Sequence, residues 1–205
     1  VVGVVATRAD HHPNFEMEYP AALARVACPP MGSGTPALSA ARIEAATALE
    51  AGDGVEVETA IALYVRAGEA QRGLDVAQAW LDAEPQSVQA RLCVGELSLA
   101  FGDVETAETM ALRVTRRRPT LARGWKLKAG ASLAAGKLED AALAVAEGAS
   151  LDPSDVELAV IAARVGAAAG DIDAAVGTLQ AFLQTNPGAA RSVMPVLDEL
   201  LDARQ

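Results

Sequence analysis

Glycine returns at a fixed interval along this chain. Gly68, Gly102, Gly136 and Gly170 are each 34 residues apart. Pro85, Pro119, Pro153 and Pro187 follow in step, each 17 residues after its glycine. Five residues past each glycine stands a small residue: Gly73, Ala107, Ala141 and Ala175. Seven residues before it stand Ile61, Gly95, Ala129 and Ala163, small in three of the four. A period of this length, held in several columns at once, marks a solenoid of copied helical hairpins. Each column has a physical reason. Glycine ends a first helix, because the left-handed cap is cheapest without a Cβ. Asp103 and Asp171, beside their glycines, can cap the second helix and suit its dipole. Proline sits just past the second helix, which it cannot continue. The small columns let the two helices of a hairpin pack closely.

Composition agrees. Hydrophobic residues make up 51% of the chain, much of it alanine, and aromatics only 3%. Alanine is the strongest helix former. An all-α protein with tight small-residue packing is therefore expected, and 205 residues are enough to bury a sizeable core. The formal net charge of −10 argues against a nucleic-acid partner and against an anionic membrane surface. Cys28 and Cys93 form no CxxC pair and read as reduced, structural thiols. No apolar run reaches the length of a membrane span. "VVGVVATRAD" lacks the basic start of a signal peptide, which leans the expected location toward the cytoplasm.

The period, the Gly-Asp turns, the alanine five residues on and the closing proline resemble the tetratricopeptide repeat family. The resemblance covers about residues 54–189 and sets four units, 54–87, 88–121, 122–155 and 156–189. It implies a right-handed superhelical solenoid of antiparallel helix pairs. Trp125 and Tyr64 stand at the family's tryptophan and tyrosine positions; elsewhere those columns carry Arg91, Ala159, Ser98, Ser132 and Gly166. Trp80 and Phe182 share a second-helix column with Val114 and Gly148 and read as core. Residues 1–35 read as an N-terminal arm and linker, and 36–53 as one more helix or a degenerate unit. Residues 190–205 read as a capping amphipathic helix, with Pro195 predicting a kink or a late start.

In this family the first helices line a concave face that usually binds an extended or helical peptide. The resemblance thus implies a scaffold or adaptor with a protein partner. The implied groove holds Glu58, Leu92, Glu96, Leu99, Arg123, Lys126, Leu133, Val160 and Arg164. Arg123, Lys126 and Arg164 would form a positive patch flanked by Glu96 and Glu157. Leu92, Leu99, Leu133 and Val160 would take apolar side chains of the peptide. The alternative is that these charges only solvate a helix face. A clamp for a chaperone's C-terminal carboxylate is not expected, since those helices lack asparagine and Glu58 stands where a lysine would help. "RVTRRRP" (Arg113–Pro119) reads as a solvated helix end whose cations offset the dipole.

The N-terminal segment is different. "DHHP", with Tyr19 eight residues after His11, is similar to the active-site segment of pterin-4a-carbinolamine dehydratases over residues 10–19. In that family a strand and a further histidine follow; here the stretch ends in "VACPP". His11 and His12 are also the only metal candidates, and they lack a third ligand at helical or hairpin spacing. No phosphate-cradling glycine loop, GxSxG, HExxH or CxxC is present. The expected function is a non-catalytic interaction scaffold without cofactor or metal. The alternatives are a structural subunit that uses the arm and the convex face, and a dehydratase-like remnant centred on the histidine pair.

Overall fold

The computed structural model describes Thr47 and residues 53–204. The expected arm, with His11, His12, Cys28 and the dehydratase-like segment, lies outside the described residues. So does the helix expected over 36–53, apart from Thr47 and Asp53. The described residues form an all-α superhelical solenoid. Helix α1 (Gly54–Ala67) pairs with α2 (Ala70–Ala83), α3 (Val88–Ala100) with α4 (Val104–Arg117), α5 (Ala122–Ala134) with α6 (Leu138–Leu151), and α7 (Val156–Ala168) with α8 (Ile172–Thr185). A short 3-10 turn, Pro187–Ala189, leads into α9 (Ala190–Ala203).

The turn inside each hairpin is made by its glycine. Gly68, Gly102, Gly136 and Gly170 have φ of 88°, 81°, 72° and 87°. The Gly102 N–H donates to the Leu99 carbonyl at 3.0 Å, and the Asp103 N–H to the Ser98 carbonyl at 2.8 Å. The same two bonds recur at the other three turns and satisfy carbonyls that the helix end leaves open. The Asp103 and Asp171 carboxylates then accept from the Thr106 and Ala174 N–H groups at 3.1 and 2.9 Å, capping α4 and α8. Ser87 and Asp155 cap α3 and α7 in the same way.

Small residues set the distance between neighbouring hairpins. A Cβ on Gly95 would lie 2.6 Å from Leu127 Cδ2, and one on Gly124 would lie 2.6 Å from Val114 Cγ1. Gly148 stands in the column of Trp80, Val114 and Phe182, and Leu158 of the next hairpin fills the space it leaves. One buried cluster runs from Val57 to Val165; a second joins Val160 and Ala163 to α8 and α9. Helix α9 begins at Ala190 and runs through Pro195, burying Val193, Leu197 and Leu200. The late start expected from the proline is not seen.

Curvature follows from which helices meet. Besides the pairings along the chain, α1 packs on α3, α3 on α5, and α5 on α7. The second helices of successive hairpins make no comparable contact. The array therefore bends with its first helices on the inside.

Candidate functional site

The inner face is built from α1, α3, α5 and α7, and its centre is Arg123. Its Nε and Nη2 donate to the two carboxylate oxygens of Glu96, each at 2.7 Å. Its Nη1 donates to Glu58 Oε1 at 2.5 Å. One guanidinium thus joins three first helices. Burial works against its charge, but the bonds from Glu96 and Glu58 outweigh burial and hold its pKa above the ordinary arginine value. Lys126, one turn further along α5, contacts Glu157 Oε2 at 2.5 Å and Asp155 Oδ2 at 3.0 Å. Burial disfavours the Lys126 ammonium too, and the carboxylates reverse that, so its pKa is raised. Glu157 has a raised pKa as well. Burial outweighs the help of an ammonium it must share, and its Oε1 has no hydrogen-bond partner.

Of the positive patch expected here, flanked by Glu96 and Glu157, Arg123 and Lys126 are held by those flanking carboxylates. Arg123 and Lys126 are tied to carboxylates of neighbouring hairpins, giving a ladder of mixed sign. The expected apolar contacts are corrected. Leu92, Leu99 and Leu133 are no more than 3% exposed and belong to the main core, and Val160 is buried in the second cluster. The glycines and alanines between hairpins draw the first helices together until these side chains are covered. Glu58 and Arg123 remain about one-third exposed, and Glu96 somewhat less. Arg164 is half-buried.

Cys93 lies among these groups. It is 3% exposed, and burial, then the charge of Glu96, pushes its thiol up to about 12. It is a free thiol. Arg91 and Trp125, one period apart, each donate to the carbonyl of the proline six residues earlier, Pro85 and Pro119. Arginine thus replaces the tryptophan's hydrogen bond without its ring. Among the described residues no group of histidine, cysteine and carboxylate side chains is arranged to hold a metal. Likewise, no helix among them is long and apolar enough to cross a membrane.

No protein-family model matches the chain, and no curated protein sequence does. Solved structures do. MamA (residue 41 to the end) from Desulfovibrio magneticus RS-1 superposes with a TM-score of 0.60 at 19% identity, covering 72% of this chain and 86% of that one. TTC0263, a tetratricopeptide repeat protein of Thermus thermophilus, gives 0.62 at 19% identity, over 81% and 82%. The Cut9–Hcn1 hetero-tetramer of APC/C gives 0.50 at 14% identity, over 77% of this chain and 34% of that one. At this level of identity the likeness is one of fold. The fold is the tetratricopeptide-type solenoid that the resemblance implied.

Proposed function

We propose that the chain is a non-catalytic protein-interaction scaffold that holds an extended segment of a protein partner along its inner face. The mixed-sign ladder carries this reading. Glu58, Glu96, Arg123 and Lys126 align across three hairpins and keep part of their polar surface in water. A peptide backbone or its charged side chains can add hydrogen bonds there without displacing the core. Arg164 extends the stripe on α7. Leu92, Leu99, Leu133 and Val160 support it from beneath. Both histidines of the chain fall in the N-terminal arm, so acid–base catalysis by histidine has no place in the array. The net charge of −10 again points away from nucleic acid.

A photo-crosslinking side chain tests the reading at four exposed positions of the intact chain. Val55 and Ala168 belong to first helices, and Leu112 and Leu143 to second helices. Capture of one partner from Val55 and Ala168 alone, weakened by Glu58→Gln/Arg164→Gln, supports the inner face. Capture from Leu112 and Leu143 alone moves the interface to the convex side. That second reading has its own observation, since Leu143 is 66% and Leu112 41% exposed.

A further inference from the structure

The end of α4 carries Arg113, Arg116, Arg117 and Arg118, and the structure gives them a setting. A cleft of about 290 Å³ opens between this turn and the start of α3. Its polar lining is Gln86, Gln89, Arg117, Arg118 and Thr120. Arg117 Nη1 donates to Gln86 Oε1 at 3.0 Å, which orients both side chains and leaves the Gln86 NH₂ as a donor. Among the described residues none of the four arginines is ion-paired with a carboxylate. Arg91 on α3 adds a fifth guanidinium. It is 8% exposed, and its Nε has no hydrogen-bond partner. Burial, then the charges of Arg117 and Arg113, push its pKa down.

Offsetting the helix dipole does not account for this cluster. The same array ends its second helices with Glu84, Arg118, Asp152 and Asn186 at one column, and with Asp82, Arg116, Ser150 and Gln184 at another. Acidic residues close two of these turns, so the repeat has no need of cations there. Their concentration at one turn stands out in a chain of net charge −10.

We propose that this cleft is a second binding site, taking carboxylate side chains of an acidic peptide segment between Arg117 and Arg118. Gln86, Gln89 and Thr120 supply the neutral donors. Planar carboxylates suit paired guanidinium and amide donors. A nucleic-acid backbone would soon run off so small a basic patch onto an acidic surface. The site differs from the inner-face ladder, whose arginine is already held by two glutamates. Arg117 and Arg118 lie in the open, where their substitution leaves the core untouched.

The test is the fluorescence anisotropy of labelled hexaglutamate titrated with the intact chain at about physiological ionic strength. Saturable binding is expected. Arg117→Ala/Arg118→Ala should weaken it about tenfold or more. Arg118→Gln alone should weaken it in part, and Arg191→Ala, on α9, should leave it unchanged. Circular dichroism melts check that each variant is folded. The proposal is overturned if hexaglutamate does not saturate, or if the double variant binds it as wild type does. It is also overturned if a phosphoserine peptide binds where hexaglutamate does not, or if a single-stranded oligonucleotide binds more tightly. None of these outcomes bears on the inner-face reading, which stands or falls on crosslinks from Val55 and Ala168.

Discussion

A Cβ added at Gly102 would touch nothing within 4 Å, yet the residue sits at φ 81°. The requirement there is dihedral and not spatial. Gly102→Ala should cost about 1–2 kcal/mol, because an L side chain resists the left-handed region. D-alanine at the same position, introduced by semisynthesis, should stabilise by about 0.5–1 kcal/mol, since it prefers positive φ and has fewer unfolded states. Urea midpoints of the two proteins decide it, and equal losses from both enantiomers would mean that space matters after all. Cys93 gives a pH-dependent prediction. Its folded pKa of about 12 exceeds the unperturbed value of 9.0. Between these values the unfolded chain has released the proton and the folded chain has not, so stability is full below pH 9 and falls as pH rises. The slope approaches about 1.4 kcal/mol per pH unit at most. Cys93→Ala should flatten the urea midpoint against pH over that window; an unchanged slope would show that other groups drive the alkaline loss. The glycine was legible in the sequence because its demand is local. The thiol's surroundings were not, since Glu58 and Arg123 reach it from the hairpins on either side.

At the scale of elements, the ladder holds neighbouring first helices together. Arg123→Met keeps the apolar stem and removes the charge, leaving Glu58 and Glu96 to face each other. With these groups about one-third exposed, the cost should be about 1–2 kcal/mol, between the values for surface and buried pairs. Adding Glu58→Gln and Glu96→Gln should restore most of it in chemical denaturation. Without that recovery, the loss comes from packing and not from charge. The placement of these residues on the inner helices is what the family resemblance implied. Their pairing was not implied, because partners 27 and 65 residues apart meet only through the curvature of the array. The same curvature covers Leu92, Leu99 and Leu133, which the family resemblance placed in the groove. The cleft beside Arg117 left one sequence signal unused. Comparing Glu84, Arg118, Asp152 and Asn186 down their column sets one turn apart from the others.

Over the whole molecule, stability is a sum of units and of the contacts between neighbours. Among the described residues helix α9 packs on α7 and α8, and its buried residues belong to the smaller cluster with α8. Native-state hydrogen exchange should therefore be fastest in α8 and α9 and slowest in α4 to α6. Uniform protection along the array would show that it opens as a single unit instead. The solenoid as a class was legible because every hairpin repeats the same backbone requirement. The tightness of its bend was not, because it depends on which methyl groups fill which glycine gaps, as Leu127 does at Gly95.

The ladder has a mechanical consequence. A solenoid is a spring, and a spring normally stretches by opening a little at every coil. Here Arg123 links α1, α3 and α5, and Lys126 links α5 to the cap and first turn of α7. Those coils are braced like a truss, so tension must break an ion pair before the pitch can change. The inner face over these coils is then a rigid cradle of fixed curvature.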